Sequence, residues 1–586
     1  MKQRRIAIDI ETSGLYPIPG SKIFCCAVND GHNIKVHTSF EELRKVLEDE
    51  SIQKVIHNAA FDSFWLYMKH GIEVRNIWDT DLMERVLIGD NLLNADNATE
   101  KQKMELSASL YYTLKRYKLP AHDKAMSYNF SQRPINAPLT KQEIDYVKSD
   151  VKHLLQVQAL QEIRLQRLNL TRVGTLENKV VEVVVRMRSA GIGIDVKRWL
   201  QIEEENLRKS ISIQKRLPAR VHNWNSPPQA KAYFQSIGIP VLSLEDITDD
   251  FRRKYNNEIL NKFVEMREYS TYASKYGRKF LYATKKKGKG EDRYLVDKDN
   301  RIRANFSQIL NTGRFACSNP PLHGLPRENE RRYGYTFTGA KHRGAFVPRK
   351  GCTFVGGDFS GQEIGIMAAA SGEQLWIKAL QRGEDPLSLM ASIFFPDWSK
   401  GTEKKCTFPK KCKCAQHKEQ RQIAKEITYG IAYGAFPKGI SVKINRTVKE
   451  TKRLMLKFQR TAPRLYRWLQ KNAKETIRTR VSYSADIYRR RRTVRDPQEW
   501  MVRNVGYNNP IQSSAANMIK LAMISLNKKW QQILPWHDDL ILEVKIGQAK
   551  QAAKELKIVM EKAADYCTGI KGLIKVEPRI TKSLEK

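Results

Sequence analysis

Two apolar segments that each end in acidic side chains constrain the architecture of this chain most strongly. The first, RRIAIDIET, predicts a strand over residues 4–10, and Asp9 and Glu11 share one face because side chains two residues apart on a strand point the same way. The second, CTFVGGDF, predicts a strand that reaches Asp358. A chain of 586 residues is too long for one hydrophobic core, and about three to four domains are expected. The two acidic strand ends are therefore predicted to form separate sites.

The pattern of apolar residues changes along the chain. Strand and helix patterns alternate up to about residue 170, and residues 171–282 are mostly helical. Further predicted elements are a strand over 52–57, a helix from 58 to 68, a helix start at Asn225–Pro228, a helical stretch over 418–480, a helix over 511–530 and a hairpin in WHDDLILEV. The fold class predicted from this order is an α/β multidomain protein.

The charge balance indicates a polyanionic partner. Lysine and arginine number 103 against 63 aspartates and glutamates, which gives a formal net charge of +40. Nucleic acid is the simplest partner for such a surplus, and the sequence has no long uncharged apolar run that would favour a membrane. The clusters Lys285–Lys289 and Arg489–Arg492 are predicted to contact a nucleic-acid backbone.

The N-terminal segment and the cysteines indicate the compartment. The segment MKQRRIAIDIET lacks the apolar core and the small-residue cleavage site of a secretory signal. Of eight cysteines only three cluster, so the sequence does not have the pattern of a disulfide framework. We therefore expect an intracellular protein.

The first set of acidic residues predicts a metal site. Asp62 in NAAFD and Asp150 in YVKSD join Asp9 and Glu11, and Tyr146 shares a helix face with Asp150 four residues later. Converging carboxylates need cations, and two divalent metals would relieve the repulsion and support phosphodiester hydrolysis. Taken alone, the Asp9–Glu11 pair fits a solvated strand end better.

The second set combines Asp358 with Asp538, in the predicted hairpin. Two carboxylates that bridge two Mg²⁺ ions are what nucleotidyl transfer requires. Between them, Arg421, Lys425 and Tyr429 form one stripe of a predicted helix, where cations could meet a triphosphate and a ring could stack on a base or sugar. A solvated basic helix face is the alternative for this stripe.

The motifs of the first set resemble the DEDDy family of 3′→5′ exonucleases. The order DIE, then N-x2-FD, then Y-x3-D covers roughly residues 1–170 without a missing acid. The resemblance implies an RNase H-like fold and an active nuclease in which Tyr146 orients the attacking water. The metal ligands that it implies are Asp9, Glu11, Asp62 and Asp150.

The motifs of the second set resemble family A DNA polymerases, which are similar to bacterial polymerase I. GDFSGQEIGIMAAASG resembles motif A, RQIAKEITYGIAYG motif B and WHDDLILEV motif C, and TGRFACSNPPLHGLPR resembles the segment that contacts the primer–template. These matches keep the family's order over about residues 305–546. The resemblance implies a right-hand polymerase with palm, fingers and thumb.

This second resemblance assigns roles to individual residues. Asp358 and Asp538 become the catalytic metal ligands, Lys425 a candidate acid for the leaving pyrophosphate, and Glu363 the gate that excludes a ribose 2′-OH. The remaining candidates for nucleotide binding are Arg421, Tyr429, Tyr433 and Gly434, and those for primer–template contact are Arg314, His323, Gln512, His537 and Asp539. Departures from the family pattern at Gly361, Gln362, His323, Asn504 and Asp539 predict an altered choice of nucleotide.

A cysteine-rich segment precedes motif B. Cys406, Cys412, Cys414 and His417 follow the pattern C-x5-C-x-C-x2-H, which would suit a tetrahedral structural Zn²⁺. A flexible basic loop with incidental cysteines is the alternative.

The resemblances together imply an organisation and a set of partners. The predicted domains are an exonuclease at 1–170, a thumb at 171–300, fingers at 373–480, and a palm built from 301–372 and 481–586. The expected partners are primer–template DNA, dNTPs and unidentified replisome factors such as a helicase, a primase or a single-strand binding protein. Mg²⁺ is the expected metal, with Mn²⁺ able to substitute. A monomer in the bacterial cytoplasm of a phage host is expected.

Three alternatives remain open from the sequence. A single-subunit RNA polymerase shares the hand-shaped fold, although Glu363 and the complete exonuclease motifs argue against it. A nucleic-acid-binding protein with an inactive polymerase half is disfavoured because Asp358, Lys425 and Asp538 are all present. The third is a nuclease whose main task is degradation.

Overall fold

The computed structural model describes residues 3–90, 98–121, 130–247, 249–283, 293–326, 331–332, 335–336, 341–395, 412 and 414–585. Cys406 and the cluster Lys285–Lys289, both singled out in the sequence, lie outside these residues. Among the helices that the structure describes, none combines the length and the apolarity needed to cross a bilayer.

In the part of the chain that the structure describes, the N-terminal sheet has five strands: β1 (Arg5–Thr12), β2 (Ile23–Asn29), β3 (Ile34–His37), β4 (Gln53–Ile56) and β5 (Ile77–Asp79). Their order is β3-β2-β1-β4-β5, and the central β1 runs antiparallel to β2 and parallel to β4. Ile6, Ile8 and Ala7 of β1 are almost completely buried on the two faces of the sheet. The apolar strand is thus held in the core, and it carries Asp9 and Glu11 at its carboxyl end.

Over residues 3–90, 98–121 and 130–167, the helices beside this sheet are α1 (Glu41–Leu47), α2 (Ala59–His70), α3 (Thr80–Ile88), α4 (Glu100–Leu106), α5 (Leu110–Arg116), α6 (Lys141–Lys152) and α7 (Leu154–Arg167). The side chains of Thr140 and Glu143 form a capping box that begins α6, because each accepts a bond from an otherwise unpaired backbone N–H. Since α6 packs against β1 and β2, it brings its own acidic residue to the end of β1.

Residues 171–282 are mostly helical, as predicted, and short strands follow them. The elements of this part of the chain are α8 (Thr171–Ala190), β6 (Ile192–Gly193), α9 (Val196–Gln214), α10 (Pro227–Ser236), α11 (Asp249–Tyr255), α12 (Glu258–Lys275), β7 (Arg301–Ile302), β8 (Asn305–Ser307), β9 (Ala316–Ser318), β10 (Arg331–Arg332) and β11 (Tyr335–Thr336). Helices α9 and α12 pack together around a core that includes Trp199 and Phe263. The predicted helix start is confirmed, because α10 begins at Pro227, whose φ angle suits a first helical turn.

The remaining elements form the C-terminal sheet and the helices around it. In chain order they are β12 (Cys352–Ser360), α13 (Gln362–Ser371), α14 (Gln374–Gln381), α15 (Pro386–Phe394), α16 (Ala415–Ala432), α17 (Pro437–Ile444), α18 (Val448–Thr461), α19 (Pro463–Thr479), β13 (Val481–Tyr483), β14 (Arg491–Thr493), α20 (Glu499–Leu526), β15 (Gln531–Trp536), β16 (Asp539–Lys545), α21 (Ala549–Thr568) and β17 (Lys575–Thr581). The sheet is antiparallel, in the order β15-β16-β12-β17.

Two predicted helical segments differ from the structure in their bounds. The stretch over 418–480 is four helices, because Gly434 and Asn445 adopt left-handed conformations at helix ends and Pro463 begins the next helix after α18. The helix predicted over 511–530 is α20, which begins at Glu499 and accommodates Pro510 in its interior. The predicted hairpin of β15 and β16 is confirmed.

A buried polar network joins the helix α8 to the C-terminal part. The carboxylate of Glu177 accepts hydrogen bonds from Lys520 Nζ at 2.5 Å, from Gln308 Nε2 at 2.7 Å and from the guanidinium of Arg490. The prediction that the cluster Arg489–Arg492 contacts nucleic acid is therefore wrong for Arg490, which is only 4% exposed. Its guanidinium pairs with Glu177 inside the protein, because a buried cation needs an anionic partner.

Candidate active sites

Three acidic side chains meet at the edge of the N-terminal sheet. Asp9 and Glu11 project from β1 and Asp150 projects from α6, and their carboxylate oxygens lie within 4.8 Å of one another. Three of the four predicted metal ligands are thus brought together by the packing of one helix on one strand. A group of carboxylate oxygens at this spacing fits a hard divalent cation.

The fourth predicted ligand, Asp62, lies just outside this group. It is buried in the first turn of α2, and its Oδ1 accepts a hydrogen bond of 3.1 Å from the backbone N–H of Ile10. This bond ties α2 to β1 beside the cluster. Asp62 remains close enough to contribute to the raised pKa of Asp9.

Burial and mutual repulsion disfavour negative charge at this site. Burial, followed by the charges of Asp62, Asp150 and Glu11, raises the pKa of Asp9 well above its usual range. Burial, followed by the charges of Asp150 and Asp62, raises the pKa of Glu11 to about 8. Burial raises the pKa of Asp62 to about 8. Cations would remove the repulsion, so the electrostatics of the site match a metal-binding function.

Tyr146 lies beside Asp150 on α6, as the four-residue spacing predicts. Burial, followed by the negative charges of Asp150 and Glu11, raises the pKa of Tyr146 above its usual range. A hydrogen bond joins its hydroxyl to Asp150. The phenol therefore keeps its proton and can donate it to an oxygen at the carboxylate cluster.

Asp79 is an acidic residue of this site that the sequence analysis missed. Its side chain caps α3, accepting from the backbone N–H of Asp81 and Leu82, and it also accepts from Asn58 and Ala59 at the start of α2. It thereby fixes the helix that carries Asp62. The motif WDTDL contains a helix-start signal that could have identified the cap, although not its bonds to α2.

The second acidic site lies where a strand of the C-terminal sheet adjoins the turn of a neighbouring hairpin. Asp358 is near the end of β12, and Asp538 lies in the tight turn between β15 and β16. The backbone N–H of Phe359 donates to the carbonyl of Asp538 at 3.2 Å, which holds the two segments together. Two aspartates far apart in sequence are thus neighbours, as predicted for a pair that shares metal ions.

Asp539, which follows the second aspartate, has a different environment. It is 2% exposed, and its two carboxylate oxygens accept from the guanidinium of Arg579 on β17. The adjacent residue His537 is exposed and has a left-handed backbone conformation. The structure thus gives Asp539 a buried partner within the sheet, and its predicted primer–template contact stays a prediction.

A cavity of about 470 Å³ lies against the second site. It brings together residues from α13, α16, α20 and the hairpin, which are far apart in the sequence. The lining includes Arg314, His323, Gly361, Gln362, Glu363, Lys425, Tyr429, Tyr433, His537 and Asp538. Most of the residues predicted to bind nucleotide or primer therefore surround one space.

Glu363 is held in place at the wall of this cavity. Its carboxylate accepts a hydrogen bond from the hydroxyl of Tyr433 and one of 3.2 Å from the guanidinium of Arg314. Burial, followed by the charge of Glu363, raises the pKa of Tyr433, which keeps that hydroxyl protonated as a donor. Two donors from different elements therefore fix the predicted gate.

The predicted cationic stripe of α16 is divided between two environments. Lys425 and Tyr429 line the cavity, whereas Arg421 pairs with Asp385, with N–O distances of 2.5 and 3.0 Å. Asp385 also caps α15 through the backbone N–H of Ser388. In this structure Arg421 thus connects two helices, and its predicted contact with a triphosphate stays a prediction.

Several departures from the family pattern have local explanations. Gly361 caps α13 with a φ of 64°, a left-handed conformation that favours glycine. The side chain of Gln362 is buried against α20 and donates to the carbonyl of Ala515 at 3.4 Å. His323 Nε2 lies 2.7 Å from the carbonyl oxygen of Pro535, next to the hairpin turn. Gln512, which matches the family pattern and is a candidate for primer–template contact, lies half-buried on α20.

Gly434 follows α16 at the edge of the same region. Its φ is 73°, and a Cβ at this position would lie 2.5 Å from Asn504 Oδ1. Both the backbone conformation and the available space therefore favour glycine beside the side chain of Tyr433.

A third group of potential metal ligands lies before α16. The Sγ atoms of Cys412 and Cys414 and a ring nitrogen of His417 lie within 4.8 Å of one another, and all three residues are buried. We call these three residues the Cys/His cluster.

Comparison with known proteins places the two acidic sites in known families. Residues 200–585 match the model of DNA polymerase family A, and residues 1–163 match a 3′-5′ exonuclease model. The thermostable DNA polymerase I of Thermus aquaticus is 26% identical over 408 residues, which are 66% of this chain and 45% of that protein. The DNA polymerase I of Lactococcus lactis subsp. lactis is 26% identical over 426 residues, which are 68% of this chain and 44% of that protein. The chain spans somewhat under half the length of these curated relatives.

A solved structure shows the same fold. The POL domain of Pol1 from M. smegmatis, in complex with DNA primer-template and dNTP, aligns with a TM-score of 0.78 at 20% identity, covering 100% of this chain and 96% of that one. The predicted fold class and the resemblance to polymerases are confirmed. The chain therefore belongs to DNA polymerase family A, and its residues 1–163 belong to a family of 3′-5′ exonucleases.

Proposed function

We propose that this protein extends a DNA primer by template-directed addition of deoxynucleotides and removes nucleotides from the 3′ end with its own exonuclease. The observation that carries the proposal is the presence of two separate carboxylate sites in one family A chain. One lies at the edge of the N-terminal sheet, and the other lies against the cavity that Lys425 and Tyr429 of α16 line.

Polymerisation is assigned to the second site. Asp358 and Asp538 would hold two divalent ions there, which when bound activate the primer 3′-OH and neutralise the triphosphate and pyrophosphate. Lys425 reaches the cavity from α16, where its charge can attract the triphosphate and its proton can pass to the leaving pyrophosphate. Tyr429, one helical turn further, also lines the cavity, which supports packing of its ring against the deoxyribose or base.

Selection against ribonucleotides is assigned to Glu363. Because Tyr433 and Arg314 both donate to its carboxylate, this side chain cannot rotate away without losing charged hydrogen bonds. A 2′-OH entering beside it would therefore meet a fixed obstacle. Arg314, His323, Gln512 and His537 are proposed to contact the primer–template, and Tyr433 and Gly434 to border the template base.

Arg421 is proposed to change partners during the reaction. It must leave Asp385 to contact a triphosphate, and such an exchange would couple nucleotide binding to movement of α16 relative to α15.

Proofreading is assigned to the first site. Asp9, Glu11 and Asp150 would hold the metal ions there with Asp62, which the bond from Ile10 fixes beside them. Tyr146 would orient the attacking water, a role that its hydrogen bond to Asp150 supports. The raised pKa values of Asp9, Glu11 and Asp62 support a site that becomes fully charged only with its cations.

The metals and partners follow from this chemistry. Oxygen ligands in both carboxylate sites suit Mg²⁺, with Mn²⁺ able to substitute, whereas the sulfur ligands of the Cys/His cluster suit Zn²⁺. Primer–template DNA and dNTPs are the proposed partners, and the net charge of +40 supports contact with a polyanion. We further propose a monomer that acts inside bacterial cells, with exonuclease, thumb, fingers and palm at the predicted boundaries. A role in phage replication and contacts with replisome factors stay predictions.

Extension of a labelled primer with each nucleotide tests the proposal. The wild-type protein should add the complementary dNTP, discriminate against the rNTP, and shorten a mispaired end. The Asp9→Ala variant should extend the primer but retain the mispaired end. Absence of extension by either protein, or equal use of dNTPs and rNTPs, would contradict the proposed function.

A further inference from the structure

The Cys/His cluster has the composition and the burial of a structural metal site. Cys412, Cys414 and His417 are 5%, 6% and 1% exposed. Their potential ligand atoms all lie within 4.8 Å of one another. Two sulfurs and one ring nitrogen at this spacing form a donor set that selects soft or borderline metals over Mg²⁺.

The distances fit a shared ion. The Sγ atoms of Cys412 and Cys414 are 3.5 Å apart, which is much longer than a disulfide bond of about 2.05 Å. Zn–S bonds of about 2.3 Å in a tetrahedral site place two sulfurs about 3.8 Å apart. Small movements of the two side chains would therefore reach the geometry of a bound Zn²⁺.

The position of the cluster connects it to α16. Cys414 is the N-cap of this helix, and His417 lies three residues later on the same face of its first turn. Cys412 belongs to the chain segment that enters the helix. The positive end of the helix dipole also favours a negatively charged group such as a thiolate at the N-cap position.

We propose that Cys412, Cys414 and His417 bind a structural Zn²⁺ that fixes the start of α16. The ion would join the incoming segment to the first turn of the helix that carries Lys425 and Tyr429. The pair of Arg421 with Asp385 attaches the next turn to α15, so the metal would be a second attachment of the same helix. The fourth ligand predicted from the sequence, Cys406, lies outside the described residues.

Metal analysis of protein purified without chelators tests the site directly. The wild-type protein should contain about one zinc ion per chain, as a single tetrahedral site requires. Cys412→Ser, Cys414→Ser and His417→Gln should each lose most of this zinc. Cys414 makes no side-chain capping bond and serine is a good N-cap, so Cys414→Ser removes the sulfur and supplies a capping oxygen. Cys352→Ser, at a half-buried cysteine of β12, is the matched control and should keep the zinc.

Replacement of zinc by Co²⁺ gives a second measurement that needs no variant. Co²⁺ in the wild-type protein should show an intense thiolate-to-cobalt absorption band, which the carboxylate sites cannot produce because their ligands are oxygens. A wild-type protein without this band, or serine variants that retain as much zinc as the wild-type protein, would overturn the proposal.

The effect on catalysis rests on the proposed function and is measured separately. With the start of α16 loosened, the KM for the incoming nucleotide should rise several-fold in Cys412→Ser, which leaves the N-cap residue Cys414 in place, while exonuclease activity on single-stranded DNA stays unchanged. Zinc lost from Cys412→Ser with an unaltered KM would refute the bracing of α16 but not the metal site. Polymerase activity absent from the wild-type protein would instead refute the proposed function.

Discussion

Asp9, Glu11 and Asp150 crowd together beside the buried Asp62, whereas Asp358 and Asp538 stand as a pair on two joined segments of the C-terminal sheet, and Asp538 lines a cavity. In the first site, burial and repulsion between acids raise the pKa of several carboxyls, so full ionisation of the site would need bound cations. The second site has fewer acids, and its cavity is shaped by fixed side chains such as Glu363. With the proposed function, the first site needs mainly metal ions to cleave a 3′ end, whereas the second must also select a nucleotide.

The largest loss of activity is expected from a substitution in the Asp358–Asp538 pair. Asp538→Ala should reduce primer extension at least about a thousand-fold, because metal-ion stabilisation supplies several kcal/mol and each 1.4 kcal/mol is about tenfold. Single-turnover incorporation of one dNTP measures this loss. Exonuclease activity should stay at the wild-type level, and a comparable loss of both activities would show that the two sites are not independent.

A smaller loss of activity is expected from a substitution in the cluster of Asp9, Glu11 and Asp150. Asp9→Ala should reduce exonuclease activity about a hundred-fold or more, because Glu11 and Asp150 remain to hold a metal ion less well. Digestion of a labelled single strand measures the rate. Primer extension with a matched end is the control, and it should be unchanged.

The raised pKa values predict a pH-dependent stability of the metal-free protein. Glu11 and Asp62 have pKa values of about 8 in the folded state, against about 4 when unfolded. Between these values the folded state binds more protons, so the free energy of unfolding falls as pH rises, by at most about 1.4 kcal/mol per pH unit for each proton. Thermal unfolding in EDTA should therefore occur at a lower temperature at about pH 8 than at about pH 6.

Two comparisons sharpen this test. Mg²⁺ should raise the unfolding temperature more at the higher pH. Fewer carboxyls of the site are protonated there, so fewer protons oppose metal binding. Glu11→Gln, which lacks one of the titrating carboxyls, should show a shallower decline in EDTA. Equal unfolding temperatures at the two pH values in EDTA would contradict the proposed repulsion.

The smallest effect is expected from a single hydroxyl at the cavity wall. Tyr433→Phe removes one of the two donors to Glu363 and should reduce discrimination against ribonucleotides about tenfold, the size of one hydrogen bond to a charged group. The ratio of kcat/KM for dNTP and rNTP measures the change. Tyr566→Phe, at an exposed tyrosine of α21, is the control. An unchanged ratio in Tyr433→Phe would mean that Arg314 alone is sufficient to hold the gate.

Much of each site could be predicted because its geometry is local. Asp9 and Glu11 share a face through the two-residue repeat of a strand, and Tyr146 and Asp150 through the turn of a helix. The motifs around Asp358 and Asp538 identified the second site through their resemblance to a family. The order of these motifs then indicated which distant segments would meet.

Partners that depend on packing could not be predicted. The sequence placed Arg421 in a stripe with Lys425, but only the structure shows that Asp385 binds its guanidinium. Likewise the cluster Arg489–Arg492 has the composition of a DNA-binding surface, although Arg490 is buried against Glu177. Composition gives the charge of a segment, whereas burial depends on which element covers it.

The sequence by itself therefore determined the chemistry of this protein: two sets of carboxylates, their spacing within each element, and the family to which they belong. Only the tertiary structure decided which of the conspicuous charges face a cavity and which are paired inside. It separated Asp538, at the cavity, from Asp539, which is paired with Arg579, although the two are adjacent in the chain. The reason is that helix and strand periodicity fix neighbours within an element, while contacts between elements depend on how the whole chain packs.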